Sequence, residues 1–249
     1  DVPSVGYKIF YLKRAGSQAD SSIRIDGATI ENRFFKVTLD PDSGAVSGIF
    51  DKELKRELVD GKSPYRFNQY LYDNTGVRDM AWRRRGIALR RKGKEDGGRE
   101  GQKGVSIRPG TNGPVCGSII STATGPLAPR LEQEIILYCD LKRIDFVNRM
   151  QKELTYDIEQ VYYAFPFAVD KPDFICELGG SIISALRDRF DCADRNWFAI
   201  QNWVDVSNDE YGITWTSREA PIVSFVEISN EWIEKLAPTN ASLFSYIMN

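Results

Sequence analysis

Apolar side chains recur at every second position in several segments of this chain, and this spacing constrains the fold more than any other feature. In one segment Phe35, Val37 and Leu39 alternate with Lys36 and Thr38. Successive side chains of a strand point to opposite faces, so this period predicts strands with one buried face. The same alternation is found over residues 131–139, 144–150 and 161–169. Many such strands without intervening helical patterns predict an all-β chain with two antiparallel sheets packed face to face.

Turn residues between these segments predict hairpins. Residues 40–44 read Asp-Pro-Asp-Ser-Gly, in which proline presets φ and glycine allows a positive φ. Residues 30–50 are therefore predicted to form a hairpin. A second hairpin is predicted where residues 197–206 and 211–216 flank a polar turn. Residues 51–58 are compatible with one short turn of helix or with a continuing strand.

The chain contains no histidine. Histidine is the commonest general acid or base and a common ligand of catalytic zinc. Its absence excludes Ser-His-Asp and Cys-His catalysis and any histidine-liganded metal within this chain. Catalysis by carboxylate, lysine or tyrosine side chains remains possible.

The overall composition is that of an ordinary globular protein. The net charge is only −2, so no strong field recruits nucleic acid or an anionic membrane. No apolar run approaches the ~20 residues that span a bilayer. We therefore expect a soluble protein without a nucleic-acid or membrane partner.

The four cysteines are widely scattered, at positions 116, 139, 176 and 192. Disulfide frameworks are typical of small, cysteine-dense secreted chains, so we expect buried, reduced thiols instead. This pattern favours a reducing compartment, and hence the cytoplasm over the periplasm or secretion.

One stretch departs from the strand pattern. Residues 83–108 hold ten Lys/Arg, three Asp/Glu and six Gly. Such a sequence buries little apolar area, which predicts a charged, Gly-rich, mobile loop at about residues 90–104. No aromatic residue in the stretch could stack on a base, so a solvated loop is favoured over a phosphate clamp.

Several motifs together resemble the region that follows the catalytic domain in family 38 glycoside hydrolases, the α-mannosidases. Residues 202–207 with 211–213 (Asn-Trp-Val-Asp-Val-Ser and Tyr-Gly-Ile) are similar to a tryptophan-aspartate-serine and tyrosine-glycine signature of that region. The other matching segments are residues 2–7, 30–37 followed by 44–52, and 243–249. The resemblance implies a galactose-mutarotase-like antiparallel β-supersandwich over residues 1–249.

The resemblance also implies which parts of the enzyme lie elsewhere. In that family the zinc ligands and the aspartate nucleophile belong to an N-terminal catalytic domain, and none of their motifs matches here. We therefore expect part of a larger chain with no catalytic residue and no metal ligand of its own. Zinc is expected in the catalytic domain of the parent protein, and the expected partners are that domain and a mannose-containing glycan. Alone, the chain is predicted to be inactive.

Trp203, Asp205 and Ser207 are the candidate contact residues. Alternation places them on one strand face, opposite Asn202, Val204 and Val206. An aromatic ring beside carboxylates suits sugars, whose C–H faces stack while their hydroxyls form hydrogen bonds. The alternative is a core tryptophan beside an aspartate that accepts hydrogen bonds from turn amides.

Glu132 and Glu134 also share a strand face, ~7 Å apart, which is within the range of glycosidase carboxylate pairs. Two carboxylates on one strand rarely flank a bond from opposite sides, so we expect solvated side chains there.

Two functions remain open. The first is a non-catalytic domain that frames the active site or docks the catalytic domain of an α-mannosidase-like enzyme. The alternative is a stand-alone carbohydrate-binding or assembly module. An aldose epimerase of similar fold is disfavoured, because such enzymes resemble one another in using histidine.

Overall fold

A computed structural model describes residues 5–11, 21–74, 99–156, 159–190, 193–229, 233 and 235–248. Within these residues the regular secondary structure consists of β-strands alone, and the paired strands run antiparallel. The all-β antiparallel fold predicted from the period-two spacing is therefore confirmed. No helix in this part of the chain has the length and apolarity needed to cross a membrane.

Eighteen strands are formed in the described ranges. In chain order they are β1 (Arg24–Asp26), β2 (Thr29–Glu31), β3 (Phe35–Leu39), β4 (Val46–Asp51), β5 (Arg56–Glu57), β6 (Gln69–Asp73), β7 (Lys103–Asn112), β8 (Cys116–Gly125), β9 (Ala128–Tyr138), β10 (Ile144–Gln151), β11 (Gln160–Phe167), β12 (Asp173–Leu178), β13 (Ser181–Ser184), β14 (Phe198–Ala199), β15 (Trp203–Ser207), β16 (Gly212–Thr216), β17 (Ile222–Phe225) and β18 (Ala241–Met248).

These strands form four sheets. The prediction of two sheets was wrong, because alternation marks the buried face of a strand but does not show which strands pair. The first sheet has the order β1-β2-β3-β4-β5 and the second β10-β9-β8-β7. The third has the order β14-β17-β18-β11-β6 and the fourth β13-β12-β15-β16. One continuous hydrophobic core includes residues from all four sheets.

The predicted hairpin over residues 30–50 is the β3–β4 pair. Val37 lies opposite Ile49, and the apolar positions of β3 are buried while Lys36 is exposed. In the turn, Gly44 has a φ of 69° and donates its N–H to the carbonyl of Asp40, 2.7 Å away. The strand pattern and the turn residues of the sequence thus both agree with the observed hairpin. Residues 52–55 form a turn rather than a helix, and β5 follows it.

The strand predicted over residues 197–206 is two strands in different sheets. β14 pairs with β17 in the third sheet, and β15 pairs with β12 and β16 in the fourth. The intervening residues 200–202 carry the chain from one sheet to the other. The prediction of one continuous strand was wrong, because alternation continues by chance across this crossing. The β15–β16 hairpin that follows is present as predicted.

The third sheet is buried on both faces. On β11, Tyr163 and Phe165 face the main core, whereas Tyr162 and Ala164 face a second, smaller apolar cluster. The Phe165 ring lies 6.4 Å from that of Phe146 in β10 and 5.4 Å from that of Trp215 in β16 (centroid to centroid). The third sheet therefore packs against both the second and the fourth, and β11 is apolar at nearly every position.

The charged loop predicted at about residues 90–104 falls, over residues 90–98, outside the described residues. At the C-terminal end of this stretch, the described residues contact the sheets. Arg99 lies 3.1 Å from Asp73 in an ion pair, Gln102 is buried, and β7 begins at Lys103. Residues 103 and 104, which were predicted to belong to the loop, are therefore part of a strand.

Candidate functional site

The outer face of the fourth sheet carries the three candidate contact residues. Trp203, Asp205 and Ser207 are half-buried on β15, whereas Val204 and Val206 are fully buried on its inner face. Alternation along a single strand is sufficient to bring the three together.

The Trp203 side chain is not a core residue. Trp197 and Trp215 pack against the two hydrophobic clusters, but Trp203 belongs to neither cluster. Across the hairpin it pairs with Thr216 at an exposed position of β16. An indole in this position offers a partly exposed ring face.

Asp205 is held in place by its neighbours. The hydroxyl of Ser207 donates to Oδ2 of Asp205 over 2.5 Å. Across the hairpin, a Cβ on Gly212 would lie 3.0 Å from Oδ1 of Asp205 and 2.9 Å from Cβ of Ser207. The absence of a side chain at position 212 therefore makes room for this carboxylate to lie along the sheet.

Glu177 extends the site beyond the residues found from the sequence. It lies on β12, where its carboxylate Oε2 accepts a hydrogen bond from Nδ2 of Asn202 over 2.8 Å. Alternation in the sequence predicts Asn202 on the face opposite Trp203. That prediction was wrong, because β15 begins only at Trp203 and strand alternation does not apply to the residue before it.

Asp173 closes the other end of the same face. It pairs with Ser207 in the sheet register and forms an ion pair with Arg187 over 2.7 Å. Asp173 and Glu177 share the outer face of β12 with Ile175, so alternation of polar and apolar residues does not mark this strand as part of the site.

Cys176 faces inward beneath this site. Burial raises the pKa of its thiol to about 11, so the thiol stays protonated at neutral pH. The thiolate is the nucleophilic form, so this cysteine is unsuited to nucleophilic chemistry.

The outer face combines hydrogen-bonding groups with apolar side chains, since Ile175 lies opposite Asp205 and Ile182, 66% exposed, lies opposite Glu177. Asp173, Glu177 and Asp205 contribute three carboxylates, and Arg187 contributes one guanidinium. Carboxylates accept hydrogen bonds from hydroxyls, and the half-buried indole of Trp203 lies at one end of the same face. Such a face can bind a polyhydroxylated ligand or a polar patch of another domain.

Glu132 and Glu134 are engaged elsewhere. Both carboxylates pair with Arg149 on the neighbouring strand, at 3.0 and 3.3 Å, and their side chains are only 13% and 17% exposed. The expectation of solvated side chains was wrong, because a cross-strand arginine covers them. Among the described residues, no three His, Cys, Asp or Glu side chains come together in a group that could hold a metal ion.

Comparison with known proteins identifies a family whose model matches this chain. The model of the glycosyl hydrolases family 38 C-terminal domain matches residues 30–225. A sequence search against curated proteins gives no significant match.

Solved structures share the fold. An alpha-mannosidase from Enterococcus faecalis V583 superposes on 93% of this chain with a TM-score of 0.65 at 11% sequence identity. A protein in the glycosyl hydrolase family 38 from Enterococcus faecalis superposes on 97% of it with a TM-score of 0.62 at 11% identity. The chain covers 26% and 28% of the lengths of those two proteins.

Proposed function

The chain belongs to the C-terminal domains of glycosyl hydrolases family 38, and we propose that it is a non-catalytic domain of an α-mannosidase-like hydrolase. In this proposal the outer face of the fourth sheet contacts a mannose-containing glycan or frames the active site of an N-terminal catalytic domain. The glycosidic bond is cleaved by that catalytic domain, with the zinc that the family resemblance implies there.

The position of Trp203 carries the proposal. Its indole is partly exposed on a sheet face that also presents Asp205 and Glu177, and it packs in neither core cluster. Half-exposed aromatic rings beside hydrogen-bonding groups are typical of sugar contacts and of the centres of protein interfaces.

The length of the solved relatives supports a partner domain. This chain corresponds to about a quarter of each of them. In this proposal the chain contributes binding or positioning, and the catalytic domain carries out the proton transfer.

The test is the kinetics of the parent enzyme with Trp203→Ala. We expect KM for an α-mannoside to rise about tenfold with little change in kcat, because a contact made equally in the ground and transition states affects binding only. Leu154→Ala is the control, since Leu154 is fully exposed and lies outside the fourth sheet. Unchanged kinetics in Trp203→Ala would count against the proposal.

If the chain is instead a stand-alone binding module, a different result is expected. A parent protein that binds mannosides but does not hydrolyse them would favour that module over a domain of a hydrolase.

A further inference from the structure

The first sheet turns one face to the core and leaves the other open. Ile30, Val37 and Ile49 are buried on the inner face. The outer face is polar except for Phe50, which is 40% exposed although β4 lies between two other strands.

Two rows of side chains cross the outer face at right angles to the strands. The sheet register places one residue from each strand in the first row, which is Arg24, Glu31, Lys36, Phe50 and Glu57. The second row contains the shorter residues Asp26, Thr29, Thr38 and Gly48.

The difference in height between the rows produces a groove. A cavity of about 520 Å³ is lined by residues that include Lys36, Thr38 and Phe50. A second cavity of about 210 Å³ adjoins it and shares Glu31 and Lys36 with it. Neighbouring strands lie ~4.8 Å apart, so a groove over five strands is ~19 Å long. The larger cavity alone has the volume of a typical small-ligand site.

The charged walls of the groove are held in place. Glu31 and Lys52 form an ion pair over 2.7 Å, and the hydrogen bond from Lys52 keeps the pKa of Glu31 below its ordinary value. Oε1 of Glu57 accepts the backbone N–H of Ile49 over 2.6 Å. A Cβ on Gly48 would lie 3.1 Å from Oε2 of Glu57, so glycine leaves the floor of the groove open there.

We infer that this groove binds a neutral oligosaccharide. Its walls hold equal numbers of cations and anions, which are Arg24, Lys36, Lys52 and Asp26, Glu31, Glu57. Ammonium and carboxylate groups side by side suit hydroxyls, which both donate and accept hydrogen bonds. The Phe50 ring supplies the apolar surface on which the C–H face of a sugar ring stacks.

Other ligands fit the groove less well. A polyanion would meet three carboxylates, and a polycation would meet three cationic side chains. A protein partner would require a larger apolar centre than a single phenyl ring.

Affinity electrophoresis of the purified chain in native gels tests the inference. The probes are three neutral polysaccharides (α-mannan, dextran and soluble β-glucan) and one anionic one, polygalacturonate. We expect at least one neutral probe to retard the chain, and Phe50→Ala to weaken that affinity at least tenfold. The control Leu54→Ala, which removes an equally apolar and exposed side chain outside the groove, should migrate like the wild type. Thr38→Arg, which fills the floor, should also abolish retardation, and thermal melting verifies that each variant is folded.

Three outcomes would overturn the inference. They are no retardation by any neutral probe, retardation by polygalacturonate alone, and unaltered affinity in both folded groove variants. Trp203→Ala in the same gels separates the groove from the fourth-sheet face. Retardation lost in Trp203→Ala but retained in Phe50→Ala would refute the groove and leave the proposed function standing.

Discussion

At the scale of single residues, Gly44 determines how closely the first sheet can approach the second. Its φ of 69° is in the left-handed region, and a Cβ there would overlap Oγ of Ser121 and lie 2.9 Å from Cγ1 of Val105. The positive φ and the close contacts both disfavour a side chain at position 44, so only glycine fits there.

Gly44→Ala should therefore destabilise the fold by about 2–5 kcal/mol, the sum of a left-handed alanine and an overpacked contact. Gly27→Ala is the matched control, because Gly27 has a φ of 54° but no atom within 4 Å of its added Cβ. Gly27→Ala should lower the free energy of unfolding by about 1–2 kcal/mol. Urea denaturation measures both free energies of unfolding, and equal losses would show that the contact with Ser121 does not matter.

Buried tyrosines make stability sensitive to alkaline pH. Burial raises the pKa of Tyr70, Tyr162 and Tyr163 above the ordinary value for a phenol. An unfolded tyrosine loses its proton near pH 10, whereas these folded residues keep theirs, so the native state binds more protons. The stabilising contribution is therefore complete below pH 10 and is lost progressively above it.

We expect the free energy of unfolding to fall between pH 9 and 11, with a smaller slope in Tyr163→Phe. Chemical denaturation at a series of pH values measures this slope. A stability profile that is flat through pH 11 would contradict the prediction.

At the scale of elements, a buried chain of amides joins three sheets. Gln102, just before β7, donates to the carbonyl of Ser43 in the β3–β4 turn and to Oε1 of Gln133 on β9, the latter over 3.3 Å. Gln133 in turn donates to the carbonyl of Asn68 over 2.6 Å, and Asn68 pairs with Asn148 on β10. These contacts fix the first, second and third sheets relative to one another.

Gln133→Leu should lower the free energy of unfolding by about 2–3 kcal/mol, because it leaves a buried carbonyl and a buried amide without their partner. Gln151→Leu makes the same change at an exposed position on β10 and should cost less than about 0.5 kcal/mol. Thermal or urea denaturation of the two variants provides the comparison. Similar stabilities would show that the buried amides contribute little to holding the sheets together.

At the scale of the whole molecule, the prediction concerns catalysis. A zinc-assisted glycosidase needs ligands that fix the metal and a carboxylate nucleophile at the anomeric carbon. This chain contains no histidine, and its cysteines are scattered. Purified alone, it should release no chromophore from an aryl α-mannoside, with or without added zinc.

The parent protein, with its catalytic domain, should hydrolyse the same substrate when assayed beside the isolated chain. Turnover by the isolated chain that survives a chelator and disappears on mutation of a single Asp or Glu would refute the proposal that this chain is non-catalytic.

The local features of this protein follow from its sequence. Period-two spacing predicts strands such as β3, β9 and β15, and the turn residues predict the β3–β4 and β15–β16 hairpins. The shared face of Trp203, Asp205 and Ser207 follows from alternation within one strand. These features are determined locally because neighbouring residues of a strand have a fixed geometry.

The arrangement of the sheets was decided only by the tertiary structure. Alternation does not show whether the second face of a strand is covered, so burial of Tyr162 on the far side of β11 depended on packing. The crossing between β14 and β15 and the contacts of Glu177 with Asn202 depended on which strands pair. The groove beside Phe50 likewise needs five strands in one register. Pairing between distant strands reflects a balance of loop closure and core packing over the whole chain, which no local pattern contains.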